Sequence, residues 1–259
     1  MSLREKREFA ASRIQLCWKA QVRWSGSTFA SDNRLGLLLL PTYLEEIEAM
    51  FGHLTVPKNR PLRVIDIGAN CGQFALTATH FLKRKGLKVE VLCVEPNPIA
   101  ISYLRENIAS SPNSGSFVGL LEVAVSSTES HGQLHFVNGK SAQGSFSTSA
   151  ATANLLKHSS PDQVTVKTIR LTEGQVREYW DDGFVDLVKI DVEGFEDEVL
   201  SGLRECKFRY VWLETVHSPL GECKVGTAEI IEQLGLEVVR LHGSNSVVSS
   251  HGNILLHKR

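Results

Sequence analysis

From about residue 60 onward, short runs of consecutive apolar residues alternate with longer segments whose apolar positions recur every three or four. The runs Val64–Ile67, Val89–Val94, Val185–Ile190 and Arg209–Leu213 predict strands buried on both faces. The segments Gln73–Lys85, Pro98–Ile108, Glu196–Leu203 and Gly226–Leu234 between and after them read as helices. Such alternation predicts an α/β fold, a mostly parallel sheet with helices on both faces. Leu121–Val125 reads as a further strand. Leu236–Leu241 and Asn253–His257, separated by a polar stretch, read as a C-terminal antiparallel hairpin.

Two regions break this rhythm. Residues 3–23 carry Phe9, Ile14, Leu16, Trp18 and Val22 at loose helical spacing, and Leu35–Phe51 is a second helix candidate broken or started at Pro41. Pro57 to Pro61 reads as a linker. The chain therefore divides into an N-terminal helical extension, residues 1–58, and a main domain, residues 59–259. In the middle, Leu134–Val137 and Val164–Leu171 alternate as antiparallel strands do. The Ser/Thr/Ala-rich stretch between them, Ser141 to Ser160, is long enough to suggest a mobile or functional insertion.

Charge and cysteine content narrow the partners. With 28 Lys+Arg against 29 Asp+Glu in 259 residues, the net charge of −1 supplies no global field to hold a polyanion, which argues against nucleic acid. The five cysteines are scattered without CxxC spacing, so neither a disulfide framework nor a zinc knuckle is expected. No apolar run near the N-terminus is long enough to span a bilayer or form a secretory h-region, and a cytoplasmic protein is expected. Oligomeric state is not legible.

The candidate chemistry begins at Asp66-Ile-Gly-Ala-Asn-Cys-Gly72, between a buried strand and a helix. Gly68 and Gly72 permit tight turning, and Asp66 ends the strand where an open α/β sheet places its ligand. The next strand ends in Glu95, suited to the two hydroxyls of an unphosphorylated ribose. Counting from Gly68, a dinucleotide fingerprint would need glycines where Asn70 and Gln73 stand. A site for S-adenosylmethionine, which has no pyrophosphate to cradle, tolerates Asp-x-Gly-x-Asn-x-Gly.

Four segments in order, Val64 to Gly72, Val94-Glu-Pro-Asn-Pro98, Glu122-Val-Ala-Val-Ser126 and Leu187-Val-Lys-Ile-Asp-Val-Glu-Gly194, resemble the FkbM-type methyltransferases. The resemblance covers roughly residues 60–218. It implies a Rossmann-like class I methyltransferase fold with a seven-stranded sheet and S-adenosyl-L-methionine as cofactor. It implies that Asp66, Gly68, Asn70 and Gly72 border the methionine and ribose, that Glu95 takes the ribose hydroxyls, and that Asn97 and Ala124 lie near the adenine. Asp191 would also border the cofactor. One segment departs from the family pattern: its usual Thr-Leu-Asp-Asp is here Ile169-Arg-Leu-Thr-Glu173.

Lys189 and Asp191 lie two apart on an otherwise apolar strand, hence on one face. They form a structural ion pair or a catalytic group at the carboxyl rim with Glu193 and Gly194. Glu214 and His217 follow the next strand to the same rim. Lys189, Asp191, Glu193, Glu214 and His217 are the candidate catalytic residues, and no spacing among them specifies a metal. The resemblance implies O-methylation of a small-molecule, sugar, glycolipid or natural-product hydroxyl. The alternatives are a nicotinamide (NAD)-dependent oxidoreductase on a related sheet, or a non-catalytic binding module with a degenerate methyltransferase fold.

Overall fold

The computed structural model describes residues 20–24, 27–31, 40–137, 140–146, 162–214, 225–239 and 253–259. Seven strands build the main sheet: β3 (Leu62–Ile67), β4 (Val89–Val94), β5 (Phe117–Leu121), β10 (Phe184–Ile190), β11 (Lys207–Glu214), β12 (Leu236–Val238) and β13 (Asn253–Lys258). Their spatial order is β12-β13-β11-β10-β3-β4-β5. Neighbouring strands run parallel from β11 through to β5, and β13 alone runs against the other six, pairing antiparallel with β11 and β12. This is the Rossmann-like class I methyltransferase architecture that the four segments imply, closed by the expected hairpin.

Strand pleating divides the core into two layers. Ile65, Ile67, Leu92, Val94, Val188, Ile190, Val211 and Leu213 face α4 (Glu173–Arg177), α5 (Glu196–Gly202) and α6 (Val225–Gln233) through Val176, Val199, Leu200 and Ile231. Val64, Val91, Leu187, Trp212 and Leu255 face the opposite side, where α1 (Leu40–Phe51), α2 (Gln73–Arg84) and α3 (Pro98–Ser110) contribute Ile47, Met50, Phe74, Ala78, Leu82 and Leu104. Because both faces are covered, the strands read as continuous apolar runs. Helix starts follow local chemistry. Asn97 caps α3 by accepting from Ile99 N at 3.0 Å, with Pro98 in the first turn. In the segment that departs from the family pattern, Thr172 and Gln175 form a reciprocal capping box for α4.

Two expectations need correction. Residues 3–23 read as helical, yet Ala20–Trp24 is strand β1, paired antiparallel with β2 (Ser27–Ser31); residues 1–19 lie outside the described residues. Gln21-Val-Arg-Trp24 alternates polar and apolar, and Ser25-Gly26 before Ser27 is a hairpin spacing, so the period is two rather than 3.6. The second N-terminal helix is present, and it begins at Pro41's turn as α1. Leu121–Val125 is also not one strand. The chain leaves the main sheet at Leu121, and Ala124–Val125 becomes β6 of a second sheet. That sheet holds the antiparallel pair β7 (Ser130–Val137) and β9 (Asp162–Ile169), with β8 (Lys140–Ser145) at its edge, in the order β6-β9-β7-β8. Of the stretch from Ser141 to Ser160, residues 147–160 lie outside the described residues.

Candidate active site

The strand order reverses between β3 and β10, and the carboxyl ends of these two strands mark the crevice where open α/β sheets bind ligands. The turn after β3 is shaped by three left-handed residues: Gly68 (φ 75°), Asn70 (φ 51°) and Gly72 (φ 91°). Asn70 tolerates this conformation through a local bond in which its Oδ1 accepts from Cys71 N at 2.7 Å. Gly68 is needed for a reason the turn alone does not show. A Cβ there would stand 1.8 Å from the carbonyl oxygen of Asp191, so two rim loops touch backbone to backbone.

Glu95 follows β4 and is 6% exposed. Its Oε2 accepts from Asn70 N and its Oε1 from Asn97 N, each at 2.8 Å. Burial outweighs these bonds and lifts its carboxyl to about 7. The Asn97 side chain, expected near adenine, is occupied in capping α3. Ala124 lies in a small apolar cluster with Leu134, Phe136 and Val166, against which Ile99 of α3 packs.

The second constellation is a row across the sheet. Strand register places Trp212, Lys189, Asp66 and Cys93 side by side, all on the face shared with α1 and α2. Lys189 Nζ lies 3.1 Å from Asp66 Oδ1 and 3.2 Å from Asp191 Oδ2, and donates to the carbonyl of Gly68 at 3.0 Å. Phe74 lies beneath the ammonium, 5.9 Å from its ring centre, and meets Trp212 edge-on at 5.5 Å. Asp66 is fully buried, and neither of its oxygens has a well-aligned hydrogen bond; burial raises its carboxyl, opposed by Lys189. An acid with open acceptor capacity at the switch point, beside Glu95, fits the ammonium and ribose of S-adenosylmethionine.

Asp191 and Glu214 are hydrogen-bonded carboxyls. Burial alone would raise Asp191, but the Lys189 ammonium and the bond with Glu214 overcome it and hold Asp191 below the ordinary range. Burial and the Asp191 charge push Glu214 well up. Ionisation is thus favoured at Asp191, beside the ammonium, and opposed at Glu214, beside the Asp191 charge. Glu193 adopts φ 53°, a conformation rare outside glycine, and burial with the neighbouring Asp191 charge raises its carboxyl to about 7. The structure thus brings Lys189, Asp191, Glu193 and Glu214 together with Asp66, whereas His217 lies outside the described residues. Among the described residues, no group of His, Cys, Asp and Glu is arranged to hold a metal ion.

Further residues border the rim. Phe195, directly after Gly194, stacks on Phe146 at 4.9 Å, and Phe146 in turn lies against Gly132, where a Cβ would come within 2.8 Å of its ring. The end of β8 is therefore fastened to the Glu193 turn. On the other side Asn253, first residue of β13, pairs in register with Glu214 and donates from Nδ2 to Glu46 Oε2 of α1 at 2.9 Å. For Asn253, a polar residue opening an apolar strand was the local signal, and its partner Glu46, 207 residues away, could not be read locally.

The chain is similar to known methyltransferases. The chain is 27% identical over 180 residues to the 2-O-methyltransferase NoeI of Sinorhizobium fredii, covering 66% of this chain and 70% of the relative. It is 31% identical over 164 residues to the methyltransferase sdnD of Sordaria araneosa, covering 55% of this chain and 60% of the relative. Among solved structures, a methyltransferase FkbM from Methylobacillus flagellatus aligns with 98% of this chain and 58% of its own, at 13% identity and a TM-score of 0.46. Residues 66–244, which contain both the Asp66–Glu95 turn pair and the Lys189–Glu214 constellation, match the methyltransferase FkbM domain, and the chain belongs to that methyltransferase family.

Proposed function

We propose that this chain is an S-adenosylmethionine-dependent O-methyltransferase acting on a hydroxyl of a sugar, glycolipid or other natural product. The observation that carries the reading is the carboxylate–lysine constellation beside the switch point, with Asp66 and Glu95 on its cofactor side. The 2-O-methyltransferase named among the relatives is consistent with oxygen as the acceptor. When bound, S-adenosylmethionine supplies an electrophilic methyl group. Asp66 would hold its ammonium, and Glu95 would accept from the ribose hydroxyls with the lone pairs that Asn70 N and Asn97 N leave available.

The residues at the β10 and β11 ends would manage the acceptor proton. An alcohol has a pKa far above neutral, so it needs a base as charge develops on its oxygen. Asp191 is held anionic by Lys189 and is a weak base. Glu193, at about 7, is matched to neutral pH and stands on a turn held by Gly194 and the Phe195–Phe146 stack. Glu193 takes the proton, while Lys189 and the Asp191–Glu214 pair fix the orientation of the turn. Turnover should then rise with pH through about 7, as Glu193 ionises, and level off above it. Glu193→Gln should lower kcat by about 10²- to 10⁴-fold with cofactor affinity unchanged. An unshifted pH–rate profile in that variant removes Glu193 from the role.

Calorimetric titration with S-adenosylmethionine tests the cofactor side. Saturable binding is expected, and binding of NAD in its place overturns the reading. Glu95→Ala should weaken the cofactor about tenfold to a hundredfold, the worth of a charge-assisted bond of about 1.5–3 kcal/mol. It should also lower stability, because the backbone amides of Asn70 and Asn97 lose their acceptor. The ribose hydroxyls favour ionised Glu95, so binding draws its pKa down from about 7 and releases a proton. Cofactor affinity should accordingly increase with pH up to about 7, and calorimetry in buffers of differing ionisation enthalpy will read the released proton. The acceptor itself can be found by mass spectrometry of glycan and metabolite extracts incubated with isotopically labelled cofactor.

A further inference from the structure

Two turns at the carboxyl rim each place a residue other than glycine in the left-handed region: Asn70 (φ 51°), followed by the Cys71 amide, and Glu193 (φ 53°), followed by the Gly194 amide. In the first turn the Asn70 side chain itself accepts from Cys71 N, at 2.7 Å. In the second the acceptor is Glu196, whose Oε1 takes Gly194 N at 2.8 Å. Glu196 is the first residue of α5 and only 6% exposed. Acids in a first helical turn ordinarily favour the helix's own exposed amides. Here the N-cap is Phe195, which makes no capping bond, and Glu196 reaches back out of the helix to the turn. Burying a carboxylate at this point is costly, because Glu193 is near enough for the two charges to oppose each other. Fastening the helix would not require that charge, since a carboxamide oxygen accepts the same bond without it.

We propose that Glu196 is a positioning residue for methyl transfer, which by holding the Gly194 amide fixes Glu193 in the left-handed conformation from which it takes the acceptor's proton, the inference resting on the methyltransferase reading above. The Phe195–Phe146 stack fastens the next residue of the same turn. The bond has a second consequence, because its acceptor oxygen carries charge. Charged groups act on Glu193 from three elements: Asp191 and Lys189 at the end of β10, Glu214 at the end of β11, and Glu196 on α5. Burial, the Asp191 charge and the Glu196 charge oppose ionisation of Glu193, and Lys189 favours it. One side chain thus sets the backbone of the base and helps to keep its carboxyl matched to neutral pH. A carboxyl that ionised well below neutral pH would be a weaker base toward an alcohol.

The test uses the full chain with isotopically labelled glutamate carboxyls. NMR titration follows the Glu193 carboxyl, assigned by its disappearance in Glu193→Gln, and hydrogen exchange follows the Gly194 amide. Glu196→Gln keeps an acceptor oxygen without the charge. The Glu193 midpoint, near 7 in the parent, should fall by about half a pH unit or more, with Gly194 exchange within about threefold of the parent. Glu196→Ala removes the acceptor as well, so Gly194 exchange should rise about tenfold or more. In that variant, transfer of label from S-adenosylmethionine into the glycan and metabolite extract should fall about tenfold or more, with S-adenosylhomocysteine affinity within about twofold of the parent. Should Glu196→Ala not fold, Glu196→Asp, whose shorter side chain withdraws the oxygen from Gly194, replaces it with the same expectations for exchange and transfer. An acid that merely stabilises α5 would change the melting temperature and leave the Glu193 midpoint and Gly194 exchange as in the parent, and that result overturns the proposal. Undiminished label transfer overturns it too. Failure of the parent chain to bind S-adenosylhomocysteine overturns the methyltransferase reading, whereas an unmoved Glu193 midpoint in a chain that binds it overturns the role of Glu196 alone.

Discussion

Gly68→Ala is expected to cost more than about 4 kcal/mol of folding stability, at the exceptional end for a single substitution. Two effects add. Gly68 sits at φ 75°, where any residue with a Cβ loses about 1–2 kcal/mol. The larger effect is steric: the new methyl would stand 1.8 Å from the Asp191 carbonyl oxygen and 2.9 Å from its carbonyl carbon. These are backbone atoms at the end of a central strand, so no side-chain rotation relieves the overlap. The β3 and β10 ends must separate, and with them Lys189 loses the Gly68 carbonyl it donates to. Gly194→Ala is the control. It has a left-handed φ of 96° but nothing within 4 Å of where its methyl would stand, so it should cost about 1–2 kcal/mol. Urea denaturation of both variants checks the difference. Equal losses would mean that backbone conformation alone, and not the contact of the two loops, requires Gly68.

Lys189→Met should destabilise the protein by about 3–5 kcal/mol at neutral pH, the range for removing one partner of a buried ion pair. Methionine keeps the length and apolar stem against Phe74, so the loss is electrostatic. Asp66 is fully buried and Asp191 lies beside it, and both lose the ammonium that favours their ionised forms. The folded-state value of Asp66, already raised by burial, rises further, and that of Asp191 moves up with it, so the sign of the pH dependence follows. A carboxyl that binds its proton more tightly when folded is most favourable to folding at acid pH, below its unfolded value near 4. That advantage is lost as pH rises through the raised folded value. The variant should therefore approach the parent protein at pH 5 and fall furthest behind at pH 8. Denaturation midpoints at the two pH values decide it. A deficit that does not change with pH would assign the loss to packing.

Both substitutions act at the place where the two halves of the sheet meet, and they show why the site was only partly legible in the chain. Lys189 and Asp191 could be put on one face because a strand has period two, and Asp66 and Glu95 because acids at strand ends of an open sheet border its ligand. That Lys189 bridges Asp66 and Asp191 required the register between β10 and β3, which brings together residues far apart in sequence. The same holds for the meeting of Asp191 with Glu214, and for Asn253 with Glu46, 207 residues apart.

Burial on both faces determined the central strands from sequence, because it turns a strand into an unbroken apolar run. Helical periodicity and a terminal proline determined α1 in the same way. Where the chain is amphipathic in both periods, local pattern misleads: Val22 and Trp18 fit a helix, but Gln21-Val-Arg-Trp24 also alternates, and pairing with Ser27–Ser31 makes it a strand. The break after Leu121 was decided by the second sheet, whose β9 offers Thr168 and Ile169 to Ala124 and Val125. Sequence by itself determined the layered architecture and the acids at its rim, since apolar periodicity and turn chemistry act over a few residues. Tertiary structure decided which acids share a cation, which acids meet each other, and which glycine keeps two loops in contact, because electrostatics and steric exclusion act through space.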